Sequence, residues 1–298
     1  MNNPAPEIRE DACPYHTLYI YYIQGRLDRT ESFEKKGFVG NWEEAGFTFL
    51  FFSEPADDRV DALVKGNPET RLLDRYRMSY EAWQGGRIEP LSIAGWFIAP
   101  PWKSAPAPPG MDRLLLDPGV VFGTGTHPTT RDCLDFIRTV MTRESIERVL
   151  DVGTGTGLLA LAAARSGRPR VLAFDFNRLA VETARRNILL NRLENRILAF
   201  QARAEDFIGL PTDLCIANIH FDVMKHLIRA EGVCRHRWFI LSGLLRSEAR
   251  EISALLSHLP VEVVDTRVRD GIWHTFLGTS RRSPVRSDME FEQSAFEW

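Results

Sequence analysis

Two rhythms of apolar and polar residues divide this chain. In the second half, short continuous apolar runs recur: RVLDVG (148–153), VLAFDF (171–176), ILAFQA (197–202), DLCIANI (213–219) and WFILSG (238–243). Runs of this length without alternation predict strands covered on both faces, as in a parallel sheet. Between them lie stretches with helical spacing: 129–141, LLALAAARSG (158–167), LAVETARRNILLN (179–191), 221–231 and RSEAREISALLSHL (246–259). Gly167 closes one helix, and Asn177 is placed to cap another. The last regular stretch, VEVVDTRVRDGIWHTFLG (261–278), holds Asp270–Gly271, a strong short-hairpin signal. Strands alternating with helices predict an α/β unit with a mostly parallel sheet, and the hairpin adds an antiparallel ending.

The first hundred residues read differently. YHTLYIYYI (15–23) and FTFLFF (47–52) have strand composition, and DDRVDALVKG (57–66) is helical by its apolar spacing at Val60, Leu63 and Val64. A small α+β unit is expected there. The proline-rich KSAPAPPG (103–110) is the strongest break. The expected organisation is therefore an N-terminal α+β domain at 1–102, a linker at 103–112, the α/β domain at 113–279 and a polar tail at 280–298. Phe291, Phe296 and Trp298 could dock that tail on a surface.

Composition changes this picture little. A formal net charge of −3 supplies no global basic field, so no direct nucleic-acid partner is expected. The four cysteines (Cys13, Cys133, Cys215, Cys234) are scattered without C-x-x-C, which suits a reducing compartment and argues against a zinc site. The N-terminal MNNPAPEIREDACP has no apolar core of a signal peptide, and no apolar run is long enough to span a bilayer. A cytoplasmic monomer, away from membranes, is expected.

The chemistry concentrates in two small-residue segments, DPGVVFGTGTHPTT (117–130) and DVGTGTG (151–157). The second follows a strand and opens a helix. Its spacing is G-x-G-x-G, neither the dinucleotide fingerprint G-x-G-x-x-G nor a P-loop ending in G-K-[ST]. Asp175 ends the next strand, where an acid can accept hydrogen bonds from a ribose diol. Gly153, Gly155 and Asp175 together fit an adenosyl ligand without phosphate, which describes S-adenosylmethionine. Glu205, or Asp206 beside it, could meet the adenine amino group. Asn218 ends the fourth strand at the ligand-binding edge, in Asn-Ile-His-Phe rather than the Asn/Asp-Pro-Pro-aromatic of many base methylases. Pro128 starts a helix, which puts Thr130 in its first turn, where a hydroxyl or an amide can meet a carboxylate. His127, His220 and Asp117 are candidate bases, each with a structural role as the alternative.

With these segments on the page, the chain resembles the ribosomal protein L11 methyltransferase family. The resemblance rests on DPGVVFGTGTHPTT, supported by EPLSIAGWFIAPPW (89–102), LSGLL (241–245) and WHTFLGT (273–279), and covers about residues 80 to 280. It implies a class I, Rossmann-like methyltransferase fold with a seven-stranded sheet. It further implies methyl transfer from S-adenosylmethionine to amino groups of the ribosomal stalk-base protein. By position, cofactor contacts fall on Thr130, Gly153, Asp175 and Asn218; Asn218 and His127 are the residues expected nearest the chemistry. The resemblance is weak over the first eighty residues, and His220 stands where the family usually has leucine. Another protein lysine or a small amine as acceptor, or a non-catalytic cofactor-binding module, are the alternative readings.

Overall fold

The structure is a computed structural model and describes residues 13, 15–27, 37–103 and 105–281. The expected tail lies outside these residues from position 282 onward, as does most of the N-terminal segment inspected for a signal peptide.

The chain forms two compact units, the smaller taking the residues up to Glu89 together with Trp102–Ser104 and Asn177–Leu179. The smaller contains β1 (Thr17–Gln24), β2 (Phe38–Glu44), β3 (Phe47–Phe52), α1 (Asp57–Lys65), β4 (Arg71–Ser79) and the single turn α2 (Tyr80–Trp83). The strands form an antiparallel sheet in the order β2-β3-β1-β4. Val60 of α1 joins Tyr21, Ile23, Leu50 and Phe52 in one apolar cluster. The buried Tyr21 hydroxyl accepts a hydrogen bond from the Ala56 amide at 2.8 Å, which orients the entry to α1. Sequence pattern finds β1, β3 and α1 but not β2 or β4. β4 is an edge strand with seven of its nine positions exposed and just Leu72 and Met78 half-buried, so it has no apolar alternation to read.

In the larger unit β5 (Leu91–Ile93), β6 (Trp96–Ala99) and β7 (Asp112–Leu115) make a three-stranded sheet. β6 and β7 pair in parallel, Trp96 opposite Asp112. The proline-rich segment is thus part of the crossover between two paired strands. Proline suits this place because a crossover needs no ladder donors.

The main sheet contains β8 (Arg148–Val152), β9 (Arg170–Asp175), β10 (Ile197–Gln201), β11 (Thr212–Asn218), β12 (His236–Leu245), β13 (Val261–Arg269) and β14 (Trp273–Ser280), in the order β10-β9-β8-β11-β12-β14-β13. The first five in that order are parallel, and β14 is antiparallel to both neighbours. The helices are α3 (Pro128–Arg143), α4 (Leu158–Gly167), α5 (Arg178–Leu190), the single turn α6 (Ala204–Phe207), α7 (Phe221–Arg229) and α8 (Arg246–Ser257). Val149 buries against Phe136, Ile137 and Leu161 on one face; its neighbour Leu150 buries with Leu227, Ile252 and Leu256 on the other. Coverage on both faces is why these strands read as unbroken apolar runs. No described helix is long and apolar enough to cross a membrane.

Two features position the site. The strand order reverses direction between β8 and β11, and in open α/β sheets ligands bind at the carboxyl edge of such a switch. The terminal hairpin is also anchored to α3. Asp270 and Gly271 have φ of 53° and 65°, and the Ile272 amide donates to the Arg269 carbonyl at 2.9 Å, which makes a type I′ turn. Arg269 donates through Nε and Nη2 to Oδ1 of Asp132, at 2.8 and 2.7 Å, and Arg267 pairs with Asp135 at 2.6 Å. Asp132 is fully buried. Removing its main partner leaves a buried carboxylate with only Arg267, 3.8 Å away. We therefore expect Arg269→Ala to lower stability by about 2 kcal/mol in urea unfolding, with part of the loss recovered by Asp132→Asn in the same chain.

Candidate functional site

The glycine loop begins where β8 ends. The amides of Gly153 and Thr154 both donate to the Phe174 carbonyl, at 2.9 and 3.0 Å, so the loop hangs from β9 as well as β8. The Gly155 amide donates to Oδ2 of Asp175 at 3.1 Å. Gly155 has φ of 54°, and a Cβ on it would stand 2.6 Å from the Phe122 carbonyl oxygen. Only glycine allows the two loops to touch at this point.

That contact is one of several. The Thr156 amide donates to the Phe122 carbonyl at 3.1 Å, and the Thr156 hydroxyl to the Gly123 carbonyl at 2.6 Å. Underneath lie two asparagines one helical turn apart, Asn187 on α5 and Asn191 just past its C-terminal end. Asn191 donates to the Leu115 carbonyl at 2.7 Å and accepts from its amide at 3.0 Å. Asn187 does the same for Asp117, at 2.9 and 2.7 Å, and also donates to the Thr156 carbonyl at 2.8 Å. A carboxamide carries the same donor and acceptor as a peptide, so the pair acts as a strand of two residues. The lengths agree: four helical residues rise about 6 Å and two extended residues about 6.6 Å. Asn187 is fully buried, so both loops are tied to one side chain inside the protein. Beyond it, Asp117 Oδ1 accepts from the Gly119 amide at 2.9 Å.

The first segment ends at His127, which caps α3. Its Nδ1 accepts from the Thr129 amide at 3.4 Å and lies 2.7 Å from the Thr129 hydroxyl. Nδ1 is thus an acceptor, and the hydroxyl donates to it. The hydroxyl oxygen in turn accepts from Nδ2 of Asn218, at 3.3 Å. The run Asn218–Thr129–His127 therefore fixes the amide of Asn218 in one orientation. Burial lowers the His127 pKa below the ordinary histidine range, which keeps the ring neutral and able to accept. Trp273, at the start of β14, meets the His127 ring edge-on at 4.6 Å between centroids. A bulge in β12 brings Gly243 beside Asn218. A Cβ there would lie 3.0 Å from Asn218 Oδ1 and 3.0 Å from the Ile219 carbonyl.

The predicted residues divide as follows. Gly153, Gly155 and Asp175 share one loop system, and Asn218 and His127 are joined through Thr129. Thr130 is buried in the first turn of α3, its amide donating to the His127 carbonyl at 3.1 Å. Glu205 lies in the short α6, its carboxylate held below the usual range by its own backbone amide and by Arg203, 3.5 Å away. His220 caps α7 through the Asp222 amide and is exposed. Sequence reading missed Thr129 as the partner of Asn218, the Asn187–Asn191 pair, and Trp273. The asparagine pair had a signal, the two asparagines of NILLN at i and i+4; the others are joined across long stretches of chain.

The site's electrostatics favour a cation. Asp151, at the end of β8, is buried and accepts from the Thr154 hydroxyl at 2.6 Å. Burial raises its pKa to about 7, with the charge of Asp175 adding to the rise. The negative charge beside the loop is therefore that of the Asp175 carboxylate, where an anionic pyrophosphate would meet like charge and a sulfonium opposite charge. Together with the close-set glycine backbone and the Asp175 carboxylate, this fits an adenosyl sulfonium.

Two outcomes follow. The folded state holds the Asp151 proton more tightly than the unfolded chain does. Its contribution to stability is present at low pH and lost as pH rises through about 7. Between pH 6 and 8 the protein should lose about 1 kcal/mol from this group, and Asp151→Asn should remove that increment from the pH profile of unfolding. Gly155→Ala must displace the Phe122 carbonyl and should cost about 2 kcal/mol, read by the same unfolding assay.

Comparison with known proteins agrees with this arrangement. A family model described as Ribosomal protein L11 methyltransferase (PrmA) matches residues 78–281. The ribosomal protein L11 methyltransferase of Desulforamulus reducens is 32% identical over 182 residues, 60% of this chain and 58% of that protein. That of Dechloromonas aromatica is 37% identical over 176 residues, 57% of this chain and 56% of that protein. The chain thus spans under three-fifths of the length of these curated relatives. Among solved structures, a ribosomal protein L11 methylase from Lactobacillus delbrueckii subsp. bulgaricus superposes with a TM-score of 0.56 at 26% identity. That match covers 63% of this chain and 96% of the other. The larger unit has the class I methyltransferase fold, its strand order and terminal hairpin included. With its model matched across more than half of the sequence, the chain belongs to the ribosomal protein L11 methyltransferase family.

Proposed function

We propose that this protein transfers methyl groups from S-adenosylmethionine to amino groups, on lysine side chains or the N-terminus, of a large-subunit ribosomal protein, the stalk-base protein. The observation that carries this reading is Asn218. It stands at the carboxyl end of β11, its amide fixed by Thr129, next to the loops that would hold the cofactor. The relatives are named for methylation of ribosomal protein L11. The work would be done in the cytoplasm by a monomer.

In this reading the backbone of Gly153 and Gly155 lies against the adenosyl group and Asp175 accepts from its ribose hydroxyls. Glu205 accepts from the adenine amino group, and Thr130 meets the carboxylate of the methionine part. When bound, S-adenosylmethionine supplies a methyl group activated by a positively charged sulfur. The chain's own task is to present a neutral amine and keep it aligned. A lysine in water is almost wholly protonated at neutral pH, since its pKa is about 10.4. Burial beside a positive charge lowers that value. Asn218 Nδ2 is held by Thr129, so Oδ1 is the atom turned to accept from the amine, and it keeps the nitrogen lone pair aimed away from itself. His127 acts through this arrangement, as cap and anchor of Thr129, rather than as the base. Alignment in a dry pocket supplies most of the acceleration.

The family match begins at residue 78, so most of the smaller unit lies outside it. That favours a second reading, with the same chemistry and site but a different protein lysine or small amine as acceptor.

Mass spectrometry of purified L11 after incubation with this protein and S-adenosylmethionine distinguishes the two. The first reading expects added methyl groups on L11. Unmodified L11 together with methylation of another component of a cell extract would support the second, and no transfer to any acceptor would refute both. We further expect Asn218→Ala to lower kcat/KM by about 100-fold and Thr129→Val by about tenfold. His127→Asn, which keeps a cap, should retain activity within about tenfold, as kinetics of the purified variants would read.

A further inference from the structure

Outside the site, α8 and β14 enclose a recess of about 300 Å³ lined by Arg246, Ala249, Arg250, Ser253, His274 and Phe276. The two periodicities that build it are simple. Positions 246, 249, 250 and 253 follow helical i, i+3, i+4, i+7 spacing and share one face of α8. On β14 the side chains alternate. Trp273 meets His127 and Leu277 packs with α3, while Phe276 packs with α8. His274 therefore points to the α8 side with Phe276.

Among the described residues, the cationic groups of this recess have no counter-ion. Arg246 spends one arm on the Gly271 carbonyl, at 2.9 Å, which steers its guanidinium over the hairpin. Arg250 makes no ion pair or hydrogen bond among the described residues. Nε2 of His274 is buried and has no hydrogen-bond partner among the described residues. Burial, together with the charges of Arg246 and Arg250, holds the His274 pKa below the usual histidine range. The neighbouring acids are occupied elsewhere. Glu248 accepts from the Leu245 amide at 2.7 Å, and Glu251 pairs with Lys225 at 2.6 Å.

We propose that this recess is an anchor for a carboxylate-bearing side chain of a bound peptide. Arg246 and Arg250 hold the carboxylate, Ala249 and Phe276 contact its apolar stem, and the His274 ring beside the two guanidinium groups senses the added charge. A guanidinium matches a carboxylate in shape as well as charge. The apolar floor favours a glutamate-like stem over a bare inorganic anion. Two cations inside a small recess, on a chain of net charge −3, do not form the long basic stripe that a nucleic-acid backbone needs. His274 follows Trp273, whose ring meets His127, so the anchor and the candidate site share one hairpin. The inference rests on the proposed function only in taking the acceptor to be a protein.

The test is NMR of the full chain labelled at histidine, with the His274 signal assigned through His274→Gln. The probes are acetyl-Gly-Leu-Glu-Gly-amide, its Gln counterpart and inorganic phosphate. The Glu peptide should shift the His274 signal saturably and bind at least about tenfold more tightly than the Gln peptide, and Arg250→Gln should weaken it by about tenfold. Arg250 is exposed, and an unchanged melting temperature would show that the variant folds. Equal responses to the two peptides, no response to either, or phosphate binding more tightly than the Glu peptide would overturn the proposal. The measurement is made without cofactor. Failure of methyl transfer leaves its result standing, and failure of the anchor leaves the transfer reaction standing.

Discussion

One buried carboxamide holds the architecture of this site together. Asn187 is fully buried on α5, and its side chain satisfies both the amide and the carbonyl of Asp117 and the carbonyl of Thr156. These three backbone groups lie in two segments outside the strand ladders of the main sheet. Buried peptide groups left without partners would each cost about 1–3 kcal/mol. The helix therefore supplies what a neighbouring strand would otherwise give, and Asn191 repeats the pattern at Leu115. Glycine at 155 follows from this, because two loops drawn to one anchor meet backbone to backbone.

The same economy governs the chemistry. Asn218 is oriented by Thr129, which is oriented by the cap of α3, which is backed by Trp273 from the terminal hairpin. The hairpin in turn is fastened to α3 by Arg269 and Asp132. A last pair of strands that might look like decoration at the edge of a parallel sheet thus reaches the carboxyl edge of β11 through four side chains. The carboxylate of Asp175 gives the glycine loop a charge that suits a sulfonium rather than a pyrophosphate, so cofactor choice and loop geometry agree.

Much of this is legible in the sequence because it is local. Strands covered on both faces leave unbroken apolar runs, and Asp270–Gly271 names its own turn type. The small-residue segments at 117–130 and 151–157 mark places where backbone approaches closely. What escaped was either unpatterned or non-local. β4 carries no alternation because most of its positions are exposed, and β6 has only four residues, all buried. The proline-rich stretch looks like a linker because proline excludes it from a strand, yet a parallel crossover meets the same requirement. Thr129 reads as a helix cap, and its bond to Asn218 spans too much chain for any spacing rule. His127 reads as a base by residue type; its structural work becomes visible only with the α3 cap in place.

The dependence of both loops on Asn187 is open to direct measurement by residue-resolved amide hydrogen exchange on the wild-type chain and on Asn187→Ala. The account predicts that the amides of Asp117, Gly119 and Thr156 exchange slowly in the wild type and that all three accelerate together in the variant, while the amides of β8 and β11 keep their protection. If the two loops respond separately, or if neither changes, the two are not held through a common anchor and the architecture described for the site is wrong.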